Sequence, residues 1–107
     1  MKIALFGREI NPAFVPNLQK LIQILEPETS CFLVYDQFYP VITPFLQFKK
    51  DVRLFHEARE LDNDTFCLIS IGGDGTLLDT ITLLQDKGIP VLGINTGRLG
   101  FLSAVSD

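Results

Sequence analysis

The sequence has no tryptophan, one histidine, one methionine and two cysteines among its 107 residues. His56 stands among charged neighbours with no second ligand candidate nearby, so it reads as an ordinary surface or half-buried residue rather than a metal ligand. Cys31 and Cys67 lie in no C-x-x-C pair and near no histidine. Each sits inside an apolar run, Cys31-Phe-Leu-Val-Tyr35 and Phe66-Cys-Leu-Ile-Ser-Ile71, where a reduced cysteine behaves as a small hydrophobe. The expectation is two buried free thiols. Long apolar stretches are missing as well. Met1-Lys-Ile-Ala-Leu-Phe-Gly7 turns polar at Arg8-Glu9, too short for a signal-peptide core or a membrane span, which predicts a cytoplasmic protein with no membrane partner. Basic charge is scarce: nine Lys and Arg stand against 13 Asp and Glu, for a net charge of −4. Only Lys49 and Lys50 are adjacent, so there is no basic stripe, and no nucleic-acid partner is expected.

What remains is apolar. Nine Phe, 47% hydrophobic residues and a mean hydropathy of +0.27 exclude a disordered chain and predict one domain over residues 1–107. The hydropathy is high for so small a domain. It predicts apolar surface that serves something outside this chain, a second domain or another copy in a homo-oligomer.

Lys2 to Phe6, closed by Gly7, fits a buried strand. Phe14, Leu18, Leu21, Ile22 and Leu25 recur at helical spacing, with Asn11 and Pro12 as start signals and Pro27 as a stop. Ser30 to Tyr35 reads as a second strand, completing a βαβ unit. Between residues 36 and 65 the pattern is weak. Phe38, Phe45 and Phe48 suggest an irregular helix or apolar loop, and Leu54, Phe55, Ala58 and Leu61 a further short helix. Phe66 to Ile71 is again a buried strand. Thr76 opens a helix with Leu77, Ile81 and Leu84 on its apolar face and Gly88 placed to cap its end. Pro90 to Ile94 is another strand. Strands alternating with helices call for an α/β fold, a Rossmann-like three-layer domain with a mostly parallel sheet. After Gly100 the run Phe-Leu-Ser-Ala-Val continues to Asp107 without a closing signal, which predicts a piece of something longer.

Two glycine-containing turns fall at carboxyl ends of strands, where open α/β sheets bind ligands: Gly72-Gly-Asp-Gly-Thr76 and Gly93-Ile-Asn-Thr-Gly97. If the strands are neighbours the loops line one crevice, and Arg8 could reach the same rim. Gly72, Gly73 and Gly75 let the backbone approach a ligand closely, and the helix that follows offers free N–H groups that suit phosphate. Thr76 suits a helix cap or a phosphate contact. Asp74 is the odd member, because a carboxylate only accepts hydrogen bonds and repels phosphate. It fits if a Mg²⁺ intervenes or if it takes a proton from an attacking hydroxyl, both of which belong to phosphoryl transfer. The plain alternative is a tight strand-to-helix turn with Asp74 as a solvated turn residue. The motif is neither a P-loop, lacking Gly-Lys-Ser/Thr, nor the dinucleotide fingerprint, lacking the third glycine. Asn95, Thr96 and Gly97 pair small residues with Arg98, a cation able to clamp phosphate bidentately or simply to stand on the surface.

Ile-Gly-Gly-Asp-Gly-Thr76, followed by Gly-Ile-Asn-Thr-Gly-Arg-Leu-Gly-Phe-Leu102, resembles the N-terminal domain of the NAD kinases. The Gly-Gly-Asp-Gly turn alone is shared with diacylglycerol, sphingosine and 6-phosphofructokinases; the second segment is particular to NAD kinases. The resemblance is read over residues 66–102, loosely at the first strand, and not over 36–65. It implies ATP- and divalent-metal-dependent phosphorylation of the adenosine ribose 2′-hydroxyl of NAD to give NADP, with Mg²⁺ or Mn²⁺ not permanently bound and polyphosphate as another donor. By it, Asp74 is the proton acceptor, Asp74, Gly75 and Phe101 contact NAD, and Gly72, Gly73 and Thr76, with Asn95, Thr96, Gly97 and Arg98, frame the phosphate donor. Many relatives carry Arg or Lys where this chain has Asp79, so that contact is absent or replaced, with Arg98 as one compensation. The family's second, all-β domain supplies an Asn-Glu pair and a Gly-Ser-Thr-Ala segment found nowhere in these 107 residues, so the piece alone is expected to be inactive. A lipid kinase domain and a non-catalytic nucleotide-binding domain are the other readings.

Overall fold

The computed structural model describes residues 1–96 throughout and the strand course of Phe101–Val105. Strands β1 (Lys2–Phe6), β2 (Cys31–Tyr35), β3 (Asp51–Phe55), β4 (Thr65–Gly72), β5 (Val91–Asn95) and β6 (Phe101–Val105) form one sheet in the order β3-β2-β1-β4-β5-β6. The first five run parallel and β6 closes the edge antiparallel to β5. Helix α1 (Val15–Leu25) joins β1 to β2, the short α2 (Tyr39–Ile42) precedes β3, and α3 (Asp74–Leu84) joins β4 to β5. The path steps one way from β1 to β2 and the other way from β4 to β5. Right-handed crossovers therefore place α1 and α3 on opposite faces, giving the three layers read from the sequence.

Strand β1 runs down the middle, and Ile3, Ala4, Leu5 and Phe6 are each at most 1% exposed, as a strand covered on both faces requires. Phe6, Tyr35 and Phe55 line up across β1, β2 and β3, with ring centroids 4.6 Å and 5.7 Å apart. Helix α1 buries Leu18 and Ile22 against this core, with Leu21 and Leu25 half-buried beside them. Asn11 caps the 3₁₀ turn that leads into it, its Oδ1 accepting from Ala13 N at 3.0 Å. At the other end Pro27 does not stop the chain abruptly but sits in a second 3₁₀ turn, Glu26–Glu28.

Several expectations need correction. Leu54 and Phe55 belong not to a helix but to β3, an edge strand in which Phe55 alone is fully buried; Ala58–Glu60 is a single 3₁₀ turn. The aromatic stretch around Phe38 is one helical turn that buries Phe38 and Ile42 completely. Helix α3 starts at Asp74, two residues before Thr76, and ends before Gln85, whose φ of 51° makes the reversal; Gly88 lies beyond it. Its inward face is Leu77, Thr80 and Leu84, while Ile81 and Leu78 point outward. The thiols are free but only half-buried. β1 separates their strands, and two strand spacings of about 4.8 Å hold the Cα atoms too far apart to bridge. Among the described residues no helix is long and apolar enough to cross a membrane.

Candidate active site

The direction of the chain reverses between β1 and β4, and their carboxyl ends open a cleft of about 620 Å³ there. Its walls come from the segment after β1, Arg8 to Pro12, and from the turn and first residues of α3. Gly72 ends β4 at φ +155°, a conformation that favours glycine, and a Cβ there would lie 2.5 Å from Thr76 Oγ1. Gly73 is the N-cap of α3 and carries no side-chain cap, and a Cβ on Gly73 or Gly75 would meet nothing within 4 Å. These two glycines thus leave the backbone N–H groups of the first helical turn open to the cleft.

Asp74 is the first residue of α3, exposed, and stands where the helix dipole favours a negative charge. Asn95, at the end of β5, donates from Nδ2 to Asp74 Oδ1 at 3.4 Å. The pairing is set by the sheet: Gly72 is opposite Asn95 in the β4–β5 register, and Thr96 N donates to the Gly72 carbonyl at 3.0 Å. The two glycine-containing turns therefore line one crevice, in which Gly72, Gly73, Asp74, Gly93 and Asn95 all take part. Thr76 and Thr96 line the wider cleft next to it. The Thr76 side chain packs against Gly72 and does not cap the helix. Phe101 is opposite Asn95 across the β5–β6 register, so its backbone adjoins the crevice. Gly97 and Arg98 lie outside the described residues.

Asp79, for which the sequence motifs indicate no partner, is paired with Arg8. Arg8, just past β1, donates from Nε to Asp79 Oδ2 at 2.9 Å, and its guanidinium lies 5.6 Å from the Phe6 ring centroid and 6.0 Å from that of Tyr35. The bond to Asp79 raises the guanidinium pKa above its already high ordinary value. Behind the turn, Thr80 Oγ1 lies 2.8 Å from Ser70 Oγ and 2.9 Å from the Thr76 carbonyl, fastening α3 to β4 inside the core. His56 lines neither the crevice nor the cleft; it lies 3.0 Å from Asp36 Oδ2 and is stacked on Tyr35 at the end of β3.

Among the described residues no cluster of three or more His, Cys, Asp or Glu side chains is able to hold a metal. One exposed carboxylate beside a phosphate-compatible turn nonetheless suits a hard divalent ion that takes most of its ligands from water and phosphate.

The chain matches the ATP-NAD kinase N-terminal domain over residues 3–107. It is 36% identical over 107 residues to the NAD kinase of Flavobacterium psychrophilum, covering 100% of this chain and 36% of that protein. It is 39% identical over 110 residues to the NAD kinase of Bacteroides fragilis, covering 99% of this chain and 36% of that protein. With the NAD kinase of Methanothermobacter thermautotrophicus the identity reaches 51% over 49 residues, 46% of this chain and 17% of that protein. The chain thus spans about a third of the length of the full-cover relatives. The likeness also runs through residues 36–65, a stretch outside the motifs that carry the resemblance.

Proposed function

The chain belongs to the NAD kinase family, and from that premise we propose that this domain serves the transfer of a phosphoryl group from ATP to the adenosine ribose 2′-hydroxyl of NAD, giving NADP. The observation that carries the reading is the position of Asp74: exposed at the first turn of α3, between an open glycine backbone and Asn95.

In this reading the N–H groups at the start of α3 bind phosphate oxygens, and Gly73 and Gly75 give the phosphates access. Asn95 orients the Asp74 carboxylate, whose other oxygen accepts the proton of the 2′-hydroxyl. As that proton leaves, the hydroxyl oxygen bonds to the γ-phosphorus and the bond to the bridging oxygen breaks, releasing ADP. Asp74 then returns the proton to water. A divalent cation arriving with the phosphates would be held by Asp74 on the protein side and would supply neutralisation of phosphate charge. Phe101, Gly97 and Arg98 are proposed to complete the NAD and phosphate contacts.

The test is NADP formation from NAD, ATP and Mg²⁺ by the natural protein that carries this chain, beside its Asp74→Asn variant. The expected loss is about 10²–10⁴-fold. Full activity in the variant overturns the role of Asp74. No NADP from the folded parent moves the reading to another phosphoryl acceptor, a lipid for instance, or to a domain that binds nucleotide without reacting.

A further inference from the structure

The wide cleft at the switch point poses an electrostatic problem. Glu9 and Asp79 are among its walls and Asp74 adjoins it, in a chain of net charge −4. Oxygens of a di- or triphosphate entering it meet carboxylates on several sides. Among the described residues lining the cleft there is one cation, Arg8. Its place follows from the topology: it comes two residues after central strand β1, at the strand end where the sheet order reverses, facing the glycine turn that ends β4.

Arg8 is tethered rather than locked. Its Nε bonds Asp79, but both side chains are 49% exposed, and an ion pair in that much solvent is held weakly. The guanidinium also lies over the Phe6 and Tyr35 rings, which are rigid core residues. The rings therefore keep the arginine head at the rim whether or not Asp79 holds it. A phosphate offers the guanidinium a bidentate partner of higher charge than one carboxylate oxygen.

We propose that Arg8 is a phosphate-binding residue of this cleft, kept at the rim by the Phe6 and Tyr35 rings, and that the Asp79 carboxylate occupies its guanidinium until phosphate oxygens displace it. The ligand chemistry is a di- or triphosphate oxyanion, from either the pyrophosphate of a dinucleotide or the tail of a nucleoside triphosphate. In its assignment to those two sources the proposal rests on the kinase reading above. The capture of phosphate by Arg8 does not.

The two partners of the pair have opposite expected signs, which a merely structural ion pair would not have. The natural protein carrying this chain would be titrated calorimetrically with inorganic tripolyphosphate, unaltered and as Arg8→Met, Arg8→Lys and Asp79→Asn. Loss of the guanidinium in Arg8→Met is expected to weaken binding at least about tenfold, with partial recovery in Arg8→Lys. Asp79→Asn removes the competing carboxylate and is expected to tighten binding severalfold. An unaltered affinity in Arg8→Met, equal weakening in Arg8→Met and Asp79→Asn, or no binding by the unaltered protein overturns the proposal. Steady-state kinetics then identify the source. In Arg8→Met, a raised KM for ATP alone assigns Arg8 to the donor, and a raised KM for NAD alone to the dinucleotide. If the unaltered protein forms no NADP, the kinase reading fails while the tripolyphosphate titration still decides the role of Arg8.

Discussion

Gly72 and Thr76 are fitted to each other so closely that a single methyl group on Gly72 would lie 2.5 Å from the threonine hydroxyl oxygen and 2.8 Å from its Cβ. The φ of +155° adds a backbone penalty for any other residue. Gly72→Ala is expected to cost about 1–3 kcal/mol of stability and to displace the first turn of α3, weakening phosphate binding with it. Denaturant unfolding and the tripolyphosphate titration measure the two effects. An alanine variant with unchanged stability and affinity would show that the turn is not held as described.

Ser70 and Thr80 make a buried hydroxyl pair, and no buried side-chain polar atom among the described residues lacks a partner. Thr80→Val is expected to leave Ser70 Oγ without a partner at 2% exposure, at a cost of about 1–3 kcal/mol. Adding Ser70→Ala should recover part of that loss, because the orphaned hydroxyl is then gone. Thermal melts of both single variants and the double variant check it, and strictly additive losses would argue against the pair.

Acid should weaken the fold through Asp62. Its carboxyl is held below the usual carboxylate range, first by the bond from Lys2 Nζ at 2.7 Å and then by that from Arg53. Because the folded-state pKa is the lower one, the contribution is complete above the unfolded value and disappears as pH falls through the folded value. Asp62→Asn is expected to lower the melting temperature slightly at neutral pH and to flatten its decline into the acid range. Parallel curves for the variant and the unaltered chain would contradict this.

The 107-residue chain by itself is expected to form no more than traces of NADP, since its full-cover relatives are nearly three times as long. It is also expected to self-associate, because Leu78 at 65% exposure and Ile81 at 36% keep an apolar stripe outward on α3. Size exclusion of the chain and of Leu78→Lys measures this: association should fall in the variant, and a clean monomer of the unaltered chain at high concentration would refute it.

The parts legible in the sequence were those with one dominant cause. β1, β2, β4 and β5 show as apolar runs because both faces of a parallel strand are buried, and α1 shows as a period because its core-facing stripe is narrow. β3 escaped because it is an edge strand: exposed Asp51, Arg53 and Leu54 leave only Phe55 fully committed to the core. The start of α3 was misplaced because Gly73 caps it through the backbone, with no Ser, Thr or Asp side chain to mark the position. Asp74 and Asn95 could be read as belonging to one crevice if their strands are neighbours, but the hydrogen bond between them could not. Nor could the partner of Asp79, since Arg8 lies 71 residues away and only the strand order brings it near.

The central place of β1 also has a consequence for the order in which the chain is made. Its neighbour on one side, β2, follows closely, but Leu5 pairs on the other side with Ile69. At synthesis rates of roughly 5–20 residues per second, that partner emerges about 3–13 s after the strand it completes. During that interval one edge of β1 waits open, so the strand at the centre of the sheet is enclosed only once β4 has been made.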